Sequence, residues 1–173
     1  SNNHPEEKRM ALKNDTLPKR FRDIALDQPQ EVLTYSKDSK GEYDLTMYGD
    51  FYEEVKAFGE GLLEFGIGRG NHVGIISDNR KEWLVTDLAL LGLGAIDVPR
   101  GCDSTSEEIG YILRHAECPM SFFENPRQIE KILPYMDRLE NLHTMVLYEA
   151  KDGVETLKEK LPEHVLLYTV EEI

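Results

Sequence analysis

The chain has 173 residues, 40% hydrophobic and 31% charged, with 33 acidic against 20 basic side chains and a net charge of −13. That composition suits one compact domain with a layered core and excludes a disordered chain. The acidic surplus argues against nucleic acid or an anionic membrane surface as the partner of this piece.

The longest uncharged apolar stretch, residues 88–96, is far short of the roughly 20 residues that cross a bilayer. Residues 5–22 are densely charged, so no apolar leader is expected and the setting is read as cytoplasmic. Ser1-Asn2-Asn3 reads as an expression scar, and residues 1–16 as a flexible arm. Cys102 and Cys118 have no ligand-spaced partner. They are read as structural thiols, with no metal site expected.

In chain order, a helix is expected from Leu17, exposing Lys19, Arg20 and Arg22, turning Phe21, Ile24 and Ala25 inward, and closed by Pro29. Residues 32–35 and 43–47 read as a hairpin around the polar turn 37–41. Asp50 and Glu53 have capping-box spacing, and the helix after them sets Phe51, Val55, Phe58, Leu62 and Phe65 in one apolar stripe. Strands are expected at 72–77, 95–98, 120–124, 144–149 and 165–168. Helices are expected at 80–91, 105–116, 126–139 and 154–161, with a break at Pro134. Pro99 should stop the second of those strands. Asn79 with Glu82, and Ser104 with Glu107, have capping-box spacing. Leu84, Leu88, Leu91 and Ile96 are expected in the core, and adjacent Val146 and Leu147 on opposite faces of a central strand.

Strands alternating with helices specify an α/β fold: a doubly wound, mostly parallel, flavodoxin-like sheet with helices on both faces, preceded by a helix and a β-hairpin at one margin. Residues 17–49 form the lead-in and 50–173 the sheet region. Gly66-x-Gly68-x-Gly70 and Gly92-x-Gly94 follow helices, not strands, so they read as left-handed helix stops. A phosphate-binding loop needs the opposite order.

Residues 77–99, with Ser77-Asp78-Asn79-Arg80-Lys81-Glu82-Trp83, Asp87-Leu88-Ala89 and Gly94-Ala95-Ile96-Asp97-Val98-Pro99, carry a distinctive pattern. So do Leu45-Thr46-Met47-Tyr48, the stretch 61–75 around Gly66-Ile67-Gly68-Arg69-Gly70-Asn71-His72-Val73, and Ser106-Glu107-Glu108-Ile109-Gly110-Tyr111-Ile112-Leu113. Together, in order and over about residues 17–173, these resemble the AMP-forming acyl-CoA synthetases of the acyl-adenylate-forming superfamily, closest to the long-chain fatty-acid branch. Asn71 stands where the family usually has Asp, and Arg100-Gly101-Cys102-Asp103 replaces a commoner apolar turn.

The resemblance implies an intact enzyme that joins a fatty acid to AMP and passes the acyl group to coenzyme A, using ATP and Mg2+. The family's Ser/Thr/Gly-rich Pro-Lys-Gly loop, ribose ligand, hinge and catalytic lysine are not in this sequence. The chain is therefore read as an N-terminal fragment of the ligase, inactive and binding no cofactor alone, with the rest of the same polypeptide as its partner. The uncovered sheet edge makes a homodimer of the piece an expectation. No catalytic residue is assigned. The candidate cofactor-binding residues are Arg80 and Arg100, at the carboxyl ends of strands where open sheets meet ligands. For Arg80 the competing reading is a first helical residue behind an Asn79 cap, and Trp83 reads as a half-buried aromatic at the helix edge. Two further readings stay open: a stand-alone flavodoxin-like binding module, and an aryl or short-chain member of the superfamily. Peripheral attachment of the intact enzyme to a membrane is left open as well.

Overall fold

The computed structural model describes residues 17–30, 32–37 and 43–173. The expected arm at 1–16 and most of the hairpin turn lie outside them. Two compact units divide within one helix, the first ending at Lys56 and the second starting at Ala57.

In the first unit, α1 (Leu17–Asp27) precedes strands β1 (Val32–Lys37) and β2 (Tyr43–Met47). The strands pair antiparallel with Tyr35 opposite Leu45, and form a two-stranded sheet of their own. The expected place of the hairpin at a margin of the main sheet is thus corrected: it adds no strand there. Phe21 packs edge-on against Phe51, with ring centroids 5.4 Å apart, and near Tyr48 and Tyr52. Ala25, one turn on, is buried. Ile24 is 42% exposed, against expectation, because the buried line runs through i and i+4 and leaves its neighbour on the rim. Helix α2 (Tyr48–Glu64) starts directly after β2. Asp50 therefore lies inside the first turn, where its charge suits the helix dipole, and is not the N-cap.

The second unit alternates β3 (His72–Ile76), α3 (Lys81–Gly92), β4 (Ile96–Arg100), α4 (Ser106–His115), β5 (Met120–Phe123), α5 (Pro126–Ile132), β6 (Thr144–Leu147), α6 (Val154–Lys160) and β7 (Leu166–Thr169). The strands lie in the order β4-β3-β5-β6-β7, every neighbouring pair parallel. This is the flavodoxin-like order expected, and it puts the topological switch between β3 and β5.

The central strands β5 and β6 are buried at all four positions, as strands covered on both faces require. On one face, Ile76, Phe123 and Leu147 join Ile109 and Leu113 of α4, Ile129 and Ile132 of α5 and Leu157 of α6. On the other, Phe122 meets Phe58 of α2 at 5.7 Å and stacks on Tyr148 at 5.6 Å. Gly74 is obligatory at the crossing of α4, since a Cβ there would run into Ser121 and Leu113.

Helix ends follow the glycines. At the end of α2, Gly66 has φ 82°. Its amide bonds the Leu63 carbonyl and the Ile67 amide reaches Leu62. Gly94, with φ 73°, repeats the arrangement after α3 through Leu91 and Leu90. Both are Schellman stops, so these glycines end helices and cradle no phosphate. Asn71, one of the two noted departures from the pattern, closes the next turn by accepting from the Gly68 amide at 2.9 Å.

Three local expectations are corrected. Pro99 lies within β4 instead of stopping it, which an edge strand tolerates because one side of its backbone needs no partner. The same edge position leaves Ile96 46% exposed. Along α3 the buried residues are Val85, Thr86, Leu88, Ala89 and Leu90, while Leu84 and Leu91 are half-buried. The expected break at Pro134 is present: α5 stops at Ile132 and a 3-10 turn, Leu133–Arg138, carries the proline at its start.

Candidate functional site

The loops after β3, β4 and β5 meet at the switch point. Asp78 follows β3, Gly101 to Ser104 follow β4, and Glu124 follows β5. The Asp78 carboxylate accepts from the Cys102 amide at 2.9 Å. The Cys102 thiol donates to Glu124 Oε2 at 3.1 Å. Ser77 Oγ and the Asp78 amide both donate to Glu124 Oε1 at 3.3 Å. From α5, the Lys131 ammonium donates to the carbonyls of Cys102, at 2.7 Å, and Ser104, at 3.0 Å.

Beside this knot a cleft of about 420 Å3 is lined by Ser77, Asp78, Asn79, Trp83, Pro99, Arg100 and Gly101. Trp83 is half-buried as expected, with the cleft as its outlook. A smaller cleft of about 310 Å3, near Arg114 and Arg138, opens by the amino ends of β5 and β6, away from these loops.

The two arginine candidates fare differently. Arg80 is the N-cap of α3 and receives no side-chain cap, so the Asn79–Glu82 capping box does not form. Its guanidinium instead bonds Glu82 at 2.8 Å and Glu149 at 2.7 Å, and lies 5.8 Å over the Tyr148 ring. The Tyr148 hydroxyl is 2.6 Å from Thr86 Oγ1, itself bonded to the Glu82 carbonyl. Burial pulls the Arg80 pKa down, but the bonds to Glu82 and Glu149 outweigh it and hold the pKa above its ordinary value. Arg80 is thus spent on joining α3 to the end of β6.

Arg100 is exposed, and among the described residues the one hydrogen bond of its guanidinium goes to the neighbouring Pro99 carbonyl at 2.8 Å. Among the described residues no carboxylate pairs with it. It lines the cleft beside Pro99 and Gly101.

Asp78, Cys102 and Glu124 bring ligand-type atoms within 4.8 Å of one another. They already satisfy each other, and the thiol stays protonated: burial, then Glu124, pushes its pKa up to about 12. Burial does the same to Cys118, which sits in the core. Neither thiol has nucleophile character. Helix α4 is capped by Thr105, not Ser104: Thr105 Oγ1 accepts from the Glu108 amide at 3.2 Å, and Glu108 accepts from the Thr105 amide at 2.7 Å.

Comparison with known proteins decides the family. The profile described as AMP-binding enzyme matches residues 21–169. The chain belongs to the AMP-binding enzyme family. Long-chain-fatty-acid–CoA ligase ACSBG2 of Xenopus laevis is 30% identical over 125 residues, 72% of this chain and 16% of that protein. A long-chain-fatty-acid–[acyl-carrier-protein] ligase of Arabidopsis thaliana is 30% identical over 100 residues, 58% of this chain and 14% of its own length. The chain thus spans about a sixth of the curated relatives it matches.

In fold it is similar to the A-PCP didomain of the Segniliparus rugosus carboxylic acid reductase, solved with AMP. That likeness has a TM-score of 0.77 and 15% identity, over 92% of this chain and 26% of that one. The N-terminal subdomain of Klebsiella oxytoca NpsA gives a TM-score of 0.54 at 23% identity, over 62% and 27%. Among the described residues no helix is long and apolar enough to cross a membrane.

Proposed function

We propose that this chain is an N-terminal part of a fatty-acid–CoA ligase that converts a carboxylic acid and ATP to acyl-AMP and then to a thioester with coenzyme A. The observation that carries the proposal is the family match over residues 21–169, joined to long-chain ligase relatives. The sheet supports it by offering an ordered set of strand-end loops with a guanidinium, Arg100, that no carboxylate among the described residues pairs.

In this reading the chain's residues bind and orient but do not react. Arg80, locked to Glu82 and Glu149, fixes the start of α3. Trp83 and Pro99 supply a dry wall to the cleft, and Arg100 meets an anionic group of a substrate. Magnesium neutralises phosphate charge when bound in such ligases. Its fit here is poor: the carboxylates of Asp78 and Glu124 are engaged by backbone amides, Ser77 and a protonated thiol. No step is assigned to the metal on these residues.

The intact enzyme, in a cytoplasmic setting, is expected to catalyse acid-dependent exchange of pyrophosphate into ATP, with a long-chain acid preferred over aryl and short-chain acids. Residues 1–173 alone are expected to do neither this nor bind magnesium-ATP tightly. Exchange assays on both, with calorimetry on the shorter, test the reading. An intact enzyme inactive with every acid tried would overturn it, and preference for an aryl acid would move it within the superfamily. Light scattering on residues 1–173 tests self-association through the exposed β4 edge, where a concentration-independent monomer is the contrary result.

A further inference from the structure

We infer that Lys131 is a positioning residue for the ligand face: it holds the loop from Gly101 to Ser104, and through it Arg100, in the geometry that meets substrate. The inference rests on the ligase reading for what the cleft binds.

The loop has few contacts of its own to keep it in place. Its one internal tie is the Ser104 amide to the Gly101 carbonyl, at 3.1 Å. Among the described residues its other hydrogen bonds come from three separate elements. Asp78, after β3, takes the Cys102 amide; Glu124, after β5, takes the Cys102 thiol; Lys131, on α5, takes the carbonyls of Cys102 and Ser104. Of these anchors Lys131 is the one cation, and it is half-buried. A single ammonium gathering two carbonyls two residues apart turns both inward and fixes the curve between them. Charge-assisted bonds of this kind are stronger than neutral ones.

The loop continues directly from Arg100, and Gly101 lines the cleft beside it. Gly101 is itself confined, since a Cβ there would lie 2.7 Å from Asp103 Oδ1. A lysine whose only purpose was to stabilise α5 would need no such reach across to another connection. Small displacements of a group that orients substrate have large kinetic consequences, so the clamp should show in substrate affinity.

The test uses the intact enzyme, with KM measured separately for the carboxylic acid, ATP and the thiol acceptor. Lys131→Met should raise one KM by about tenfold while kcat stays within about threefold. Arg100→Ala should raise the KM of that same substrate, and the double variant should raise it by less than the product of the single effects. Lys131→Arg, which can still donate to both carbonyls, should restore most of the affinity. If Lys131→Met fails to fold, Gly101→Ala displaces the same loop and should show the same KM effect.

A second readout is independent of activity. Amide exchange at Cys102 and Ser104 should quicken about tenfold or more in Lys131→Met, while amides of β5 and β6 keep their protection. Unchanged exchange at those two amides overturns the inference, as do three KM values within twofold of wild type, a loss confined to kcat, or effects of Lys131 and Arg100 on different substrates. An intact wild type without ligase activity sinks the ligase reading instead, and leaves the exchange measurement to decide the clamp.

Discussion

The connections after β3 and after β4 lie side by side, an arginine stands at the end of the first and another at the start of the second, and the protein uses them in opposite ways. After β3, Arg80 is turned inward onto two carboxylates and a tyrosine ring, and the helix behind it has no side-chain cap. After β4, Arg100 is left outside, and the helix behind it carries a complete capping box. The first connection spends its charge on joining elements distant in sequence. The second is secured by other residues, and among the described residues no carboxylate holds its arginine. An arginine at a strand end is therefore not in itself a ligand contact; what decides is whether a carboxylate elsewhere in the fold has already claimed it.

The largest expected effect separates the two arginines. Arg80→Ala should lower unfolding free energy by about 2 kcal/mol, since it strands a tyrosine and two carboxylates that are partly screened by solvent. Arg100→Ala should change it by less than about 0.5 kcal/mol, while weakening substrate binding in the intact enzyme. Urea unfolding of both variants is the measurement, and equal losses would break the contrast.

A smaller effect concerns the helix starts. Thr105→Ala removes a cap and should cost about 1 kcal/mol. Asn79→Ala, which removes no cap, should stay within about 0.5 kcal/mol. The same unfolding curves read both, and a larger loss at Asn79 would restore the capping role that the structure denies it.

These pairs also show what could be read from sequence. The order of elements, the parallel sheet and the fully buried β5 and β6 were legible, because hydrophobic periodicity and the glycine stops are local signals. The cap of α4 was not, because Ser104 with Glu107 and Thr105 with Glu108 have identical spacing. The tie between the Ser104 and Gly101 backbones, together with the hold of Lys131 on the Ser104 carbonyl, favours the second. The fate of Arg80 was hidden for a different reason: Glu149 is 69 residues away and meets it only once β6 is in place. The exposure of Ile96 depends on strand order, which puts β4 at an edge, and nothing in its neighbours announces that. Lys131 gave no signal at all, since its partners are backbone carbonyls.

The last and subtlest effect links the two connections through the elements that flank them. Asp87, on α3, faces Asp97, on β4. Burial first, then the hydrogen bond and like charge of Asp97, push the Asp87 pKa up to about 6, from an ordinary 3.8. A group whose folded-state pKa is raised favours the folded chain below its unfolded pKa, and that contribution is lost as pH rises through the folded value. The pair should therefore cost stability progressively from about pH 4 to above pH 6, by under about 1 kcal/mol once solvent screening is allowed for. Other carboxylates act in the opposite direction. Glu82 is one: partial burial raises its pKa, yet the hydrogen bond from Arg80 outweighs that and holds it below the usual range. Raw stability against pH would therefore mix the two trends, and a difference experiment isolates the pair. Asp97→Asn leaves the Arg80–Glu82 contact intact and removes the like charge. Its stability relative to wild type should rise between pH 4.5 and 7. If the two proteins keep a constant difference over that range, the Asp87–Asp97 contact carries no titration, and α3 and β4 are held together by packing alone.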